Sequence, residues 1–354
     1  MTTEAEEYKD LLGYARSLYL GLENQTKLES FMEEKKYTQD WSRYEKACSQ
    51  EKLMFFRILK DAVDFLGIEY SYKGNGRPPE YLADILKAIC IKAYNNQSSW
   101  RTESDLMIAR AMGVLDKVPK RSTILKYLQS PLVAKYLHEL YKVIAEPLSE
   151  IEMYFAADAT GISQKYGNVR WQTVRHTKKE AKKRREYVKL NVISGVKTNA
   201  IVSAKITIGT AHESPFFKEL LADTSKRFNL REVSADAGYL SKENVKAIAN
   251  MGAIPFIPGK KNTFVPSKGR DTPWMAMLTL WKKYQPLFAS HYHRRSNVES
   301  TFSALKRKFG DFCRCKKLET QENEILARIV CFNSAILAEN MLSYDFKKGF
   351  VAGK

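Results

Sequence analysis

The chain has 354 residues, 44% of them hydrophobic, and a formal net charge of +18. This size and composition allow two domains or one large one with a sizeable core, and they exclude global disorder. The polar start MTTEAEEYKD argues against a signal peptide, no apolar run of about 18 residues marks a membrane span, and cysteines at 48, 90, 313, 315 and 331 fit neither a disulfide framework nor a zinc pair, which points to a reduced, intracellular protein.

Charge is unevenly spread. Residues 1–70 hold 14 acids and 10 bases, a net of −4, so the remainder carries +22. A surplus of that sign and size is the electrostatic footprint of a polyanion partner, most often nucleic acid. Residues 1–75 read as a helical region, with Leu53, Phe56, Ile58, Leu59, Val63 and Leu66 at helical intervals. The segment SYKGNGRPP at 71–79 is a turn-rich connector. Residues 76–150 form a second helical region, with helices predicted at 81–94, 102–112 (ended by Gly113) and 123–128 (capped by Ser122). The turn at 118–121 between short helices is compatible with a helix-turn-helix, in which Lys120, Arg121 and Lys126 would contact phosphates or bases; plain helical packing fits the same pattern.

The pattern changes near Tyr154. Strands are predicted at 153–157, 187–194, 201–208, 233–235 and 254–257, and helices at 213–228, 241–250 (capped by Ser241) and 324–342. Three sequential strands followed by strand–helix alternation suggest a mixed sheet with helices on its faces, spanning 151–345. The first strand ends on Asp158 and the fourth on Asp236. Each aspartate alone also suits a turn or cap. Between the first two strands lie Lys178, Lys179, Lys182, Lys183, Arg184 and Arg185, which suit either a track along a DNA backbone or a solvated face. Trp171 and Tyr166 nearby are candidate stacking partners for a base.

Tyr292, Arg295, Glu299 and Lys306 stand at offsets of 0, 3, 7 and 14. On a helix they fall at roughly 0°, −60°, −20° and −40°, a stripe about 60° wide. The stripe carries one carboxylate, two cations and a phenol, which suits a site holding a metal ion and a phosphate together; a solvated basic face is the alternative. Three carboxylates from two strand ends and a helix suit Mg²⁺. Two such ions stabilise the attacking and leaving oxygens of an in-line displacement. His212, His291 and His293 are not needed as ligands in such a site.

These residues resemble the DDE transposases of bacterial and archaeal insertion sequences. Tyr292, Arg295, Glu299 and Lys306 match a Tyr-x₂-Arg-x₃-Glu-x₆-Lys signature, and Asp236-Ala237-Gly238-Tyr239, Ala157-Asp158-Ala159-Thr160 and Ala211-His212-Glu213-Ser214 are similar to the family's other segments. Ala237 stands where many relatives have a larger residue. The resemblance implies an α/β fold, an RNase H-like mixed sheet flanked by helices and preceded by an α-helical N-terminal region. It implies that Asp158, Asp236 and Glu299 hold two Mg²⁺ (or Mn²⁺), that Arg295 and Lys306 contact phosphates, and that Tyr292 bonds to or stacks on the same strand. The partners implied are double-stranded DNA, as element ends and target, and a second copy of the chain in a homodimer on DNA. The setting implied is the prokaryotic cytoplasm and its nucleoid. Gaps of 78 residues from Asp158 to Asp236 and 63 from Asp236 to Glu299 leave little room for a large β-rich insertion. Three other readings stay open: a same-fold nuclease without strand transfer, a catalytically inactive DNA-binding descendant, and an RNA-processing enzyme.

Overall fold

The computed structural model describes residues 41–69, 73, 75–76, 78–164, 187–209, 211, 214–260, 262–264 and 272–343. Residues 1–40, Tyr166, Trp171, the basic run from Lys178 to Arg185, His212 and Glu213 lie outside the described residues. Helices come first: α1 (Trp41–Phe65), α2 (Leu82–Tyr94), α3 (Thr102–Ala111), α4 (Arg121–Tyr127) and α5 (Pro131–Ala145). Strands β1 (Tyr154–Ser163), β2 (Tyr187–Gly195) and β3 (Ile201–Ile208) follow. Then come α6 (Ser214–Ser225), β4 (Glu232–Ala235), α7 (Lys242–Asn250), β5 (Ile254–Phe256), α8 (Pro273–Lys283), α9 (Gln285–Tyr292), α10 (Ser296–Phe309) and α11 (Leu318–Ser343).

The five strands form one sheet in the order β3-β2-β1-β4-β5. β1 pairs antiparallel with β2 and parallel with β4, β2 pairs antiparallel with β3, and β4 parallel with β5. This is the expected mixed α/β sheet, RNase H-like and flanked by helices. Alternation along the strands divides the core in two. Ala156, Ile162, Val188, Leu190 and Val192 face a cluster shared with α1 to α5, α10 and α11, whereas Phe155, Ala157, Val233 and Ala235 face a second cluster with α6 to α9. Between β5 and α10 the described residues hold two helices and no strand.

Among the boundaries that differ from the sequence reading are those of β1 and α4. β1 continues past Asp158 to Ser163 because β2 pairs with it throughout, from Phe155↔Gly195 to Ser163↔Tyr187. Asp158 is therefore mid-strand, one residue beyond the last parallel pair, Ala157↔Ala235. α4 begins at Arg121 rather than 123, because the Lys120 carbonyl already accepts from the Thr123 and Ile124 amides at 2.9 and 3.1 Å. Ser122 thus lies within the first turn and caps nothing. Ser241 does cap α7, accepting from the Asn244 amide at 3.1 Å.

The last helix joins both halves. α11 packs on α1, α2 and α5 and also touches β3. Its buried Asn333 accepts from the Ile201 amide at 3.0 Å and donates to the Tyr141 and Ile201 carbonyls at 3.0 and 2.8 Å. Arg328 donates to the Gly310 and Phe312 carbonyls and to Glu324, and Glu324 in turn accepts from the Arg314 and Cys315 amides, which fixes the loop between α10 and α11. The five cysteines are free thiols. Among the described residues no helix is long and apolar enough to cross a membrane.

N333A would leave the buried Ile201 amide without its side-chain acceptor and take one donor from the Tyr141 and Ile201 carbonyls, at about 1–3 kcal/mol for a group that is left unpaired and that water cannot reach. We expect a loss of about 2–4 kcal/mol in urea unfolding. A midpoint equal to that of the wild type would remove Asn333 from the forces joining α11 to β3.

Candidate active site

β1 and β4 deliver two carboxylates to one place. Asp158 and Asp236 each follow a residue of the last parallel pair, Ala157↔Ala235, whose side chains point into the cluster on the α6 to α9 side. Alternation places the next side chains on the opposite face, where α10 packs against β1. Both acids so emerge beside each other from neighbouring strands, and both are half-buried. Asp236 is oriented by its own turn, since its Oδ1 accepts from the Gly238 amide at 2.7 Å. A Cβ at position 238 would lie 2.9 Å from that oxygen, closer than carbon and oxygen pack, so glycine allows the approach. Tyr239 anchors the same turn, buried against Phe217 at 5.1 Å, and its carbonyl accepts from Asn244 at 2.8 Å.

α10 brings the third acid. Val298, Thr301, Phe302, Leu305 and Phe309 recur at helical spacing and are buried, which sets the helix's rotation. Glu299 lies in the first turn, and Lys306, Arg307 and Lys308 in the last, each favoured by the helix dipole. Gly310, at φ +91°, ends the helix where a side chain would be strained. α10 then runs along β1, and the chain after it bonds to Ser163 through Asp311 and Cys313.

The expected single helix from Tyr292 to Lys306 is divided. Tyr292 ends α9, His293–Arg295 form a 3₁₀ turn, and α10 starts at Ser296. The Ser296 hydroxyl donates to the His293 carbonyl at 2.8 Å, competing with the α-helical pattern there. In a 3₁₀ turn residues three apart eclipse, which brings Arg295 beside Tyr292, where the two side chains share a hydrogen bond. Arg294 and His291 both reach Glu232, at 2.8 and 3.0 Å, and Arg294 lies over the Tyr154 ring at 4.5 Å. The His291 ring also stacks on Phe256 at 4.8 Å. Glu232, His291 and Arg294 are supports that periodicity could not reveal, although all three are polar residues beside an aspartate strand or the four-residue signature.

Arg295 occupies the middle of the site. Its Nη1 donates to Asp158 Oδ2 at 2.8 Å and its Nη2 to Glu299 Oε1 at 2.5 Å. Burial opposes its charge, but Asp158, Tyr292, Glu299 and Asp236 outweigh that and raise its pKa. Burial likewise raises the Tyr292 phenol above its ordinary value, with Arg295 opposing and Asp236 and Asp158 adding to the shift. Lys306 faces β1, where its Nζ donates to Thr160 Oγ1 at 2.6 Å. Thr160 stands two residues after Asp158 and so on the same face, a period-2 signal readable in the sequence. Lys120 and Lys126 are exposed, and the Arg121 guanidinium lies 3.5 Å from the Trp100 ring centroid.

The donors suit a hard divalent cation, being carboxylate oxygens with no thiol or imidazole among them. The two aspartates follow paired residues of neighbouring strands, and Glu299 reaches Asp158 through Arg295. Among the described residues no group of three or more acidic, histidine or cysteine side chains closes on a common point. A protein-family model described as a transposase DDE domain matches residues 153–334. No curated protein and no solved structure matches the chain.

Burial lowers the Lys306 pKa, so its charged form costs folding stability at neutral pH. The unfolded chain binds this proton more tightly, so stability from this group rises as pH climbs through the folded value towards that of free lysine. K306M should therefore unfold at no lower urea concentration than wild type at pH 7 and lack that alkaline rise. A much lower midpoint for K306M would make the Thr160 bond a stabilising one.

Proposed function

The chain belongs to the transposase DDE domain family, and from that premise we propose that it is an insertion-sequence transposase that cleaves element ends and joins them to target DNA. The observation that carries this reading is the emergence of Asp158 and Asp236 side by side on the face covered by α10, with Glu299 tied to Asp158 through Arg295. Family membership points to phosphoryl transfer with divalent metals. In the proposed site Asp158, Asp236 and Glu299 hold two Mg²⁺, or Mn²⁺. When bound, the ions supply activation of the attacking oxygen and neutralisation of the leaving one.

The remaining work falls to the chain's own residues. Arg295 binds a phosphate near the scissile bond through its planar fork. Lys306 supplies a second positive charge from beneath β1. Tyr292 bonds to or stacks on the same strand. Gly238 keeps Asp236 from turning away from Asp158, and the Glu232 cluster fixes the turn that carries Arg295. The basic run from Lys178 to Arg185 tracks the DNA backbone, and Lys120, Arg121 and Lys126 contact phosphates or bases. Joining two ends at one target calls for two copies of the chain on double-stranded DNA, acting at the nucleoid in the cytoplasm. The division of labour we propose assigns residues 151–345 to catalysis and the helices before them to DNA binding.

Replacing Asp158 or Asp236 by Asn, or Glu299 by Gln, should lower Mg²⁺-dependent cleavage of element-end DNA by at least about a hundredfold, while gel-shift binding persists. Cleavage near the wild-type rate in any one variant would remove that residue from the site. Pre-cleaved ends offered to the wild type separate the rival readings. Joined products support a transposase, cleavage without joining a nuclease, and binding alone a DNA-binding descendant.

Alanine at Lys182, Lys183, Arg184 and Arg185 should weaken DNA binding and flatten the slope of log affinity against log salt by about 0.9 for each phosphate that is no longer neutralised. An unchanged slope in a salt titration would assign the run to solvent.

A further inference from the structure

We propose that Arg295 is the resident cation of the acid centre in the DNA-free protein, and that its transfer to a DNA phosphate is what opens the centre to divalent metal. The inference rests on the proposed transposase function and adds to it the order of loading.

The geometry makes guanidinium and metal competitors. Arg295 uses two nitrogens on two different acids, Nη1 on Asp158 Oδ2 at 2.8 Å and Nη2 on Glu299 Oε1 at 2.5 Å. The other Asp158 oxygen, Oδ1, accepts from the Ala159 amide at 2.8 Å. An ion shared by Asp158 and Glu299 needs oxygen atoms at about 2.0–2.1 Å for Mg²⁺, and the guanidinium lies between those atoms. The charges explain why a cation is there at all. Asp158, Glu299 and Asp236 all act on Arg295. Without a positive charge among them the three acids would repel one another across a half-buried site.

The surroundings show which part can move. Arg294, in the same 3₁₀ turn, is held by Glu232 and the Tyr154 ring, so the turn has an anchor that does not involve Arg295. Lys306, the other signature cation, is tied to Thr160 rather than to an acid. Glu299, whose side chain is 59% exposed against 16% for Asp158, is free to turn once released. Only the Arg295 side chain has to swing. A phosphate offers it the same two-oxygen acceptor that the acids offer, so the fork exchanges one pair of bonds for an equivalent pair. Metal and DNA are then linked. DNA that draws Arg295 away raises metal affinity, and metal raises DNA affinity by the same factor. The centre stays neutralised until its substrate arrives.

The test measures Mn²⁺ binding to the full chain by electron paramagnetic resonance, with and without a random-sequence duplex oligonucleotide. We expect duplex to tighten Mn²⁺ binding to wild type by a factor within about 5–150. R295A without DNA should bind Mn²⁺ tighter than wild type by a similar factor, and duplex should add little. R295M, which fills the space without charge, repeats the measurement should the alanine variant unfold. An R295A or R295M affinity equal to or weaker than that of the wild type, or a duplex effect as large as in the wild type, would overturn the exchange while leaving the acid centre standing. Failure of every form to bind Mn²⁺, with or without duplex, would overturn the acid centre and the exchange with it.

Discussion

The register between β1 and β4 is the constraint on which the site depends. Ala157 pairs with Ala235, and both side chains enter the core on the α6 to α9 side. The residues that follow them must then point the other way, towards α10. A slip of one residue would send one aspartate into the apolar core, where an unpaired charge is prohibitive. Burial on both faces of β1 and β4 therefore fixes the register more firmly than hydrogen bonds alone would, and the acids inherit that precision. Short β4 ends where β1 continues, so the pair stands at a step in the sheet rather than along a filled face.

α10 is attached to β1 at points spread along its length. Arg295 reaches Asp158, Lys306 reaches Thr160, and the chain after Gly310 bonds to Ser163. The buried stripe from Val298 to Phe309 holds the helix between these points. Removing one of these polar bonds would leave the helix in place and change the charge pattern beside the acids. Packing thus sets where Glu299 is, and polar bonds set what it is attached to. Glu232 performs a comparable task on the neighbouring strand, receiving His291 and Arg294 from the turn before α10.

Much of this was legible in the sequence. Alternation gave β2 and β3, short strand-like segments gave the other three, and the apolar segment before each aspartate put both acids at strand ends. The spacing from Tyr292 to Lys306 gave a helical stripe. What was hidden has physical causes. Asp158 read as a strand end because Asp-Ala-Thr-Gly looks like a turn; its pairing with β2 overrides that preference. The helix was expected from Glu324 and starts at Leu318 because Gln321 and Asn323 are polar yet buried, spending their hydrogen bonds on neighbouring loops. Periodicity showed that Arg295 and Glu299 share a side of the helix, but not that the guanidinium would cross to β1. Lys306, expected to face phosphate, sits against Thr160 because the same rotation that buries Leu305 turns it towards the strand.

α11 completes the core shared by the early helices and one face of the sheet, and it is the last described element of the chain. During synthesis α1, α2 and α5 leave the ribosome long before the helix that covers them. Their apolar faces must wait, shielded by one another or by chaperones, until α11 itself has been translated. Closure of that core is consequently a concerted event that follows synthesis of α11, and a message cut short before α11 would leave the early helices and one face of the sheet uncovered.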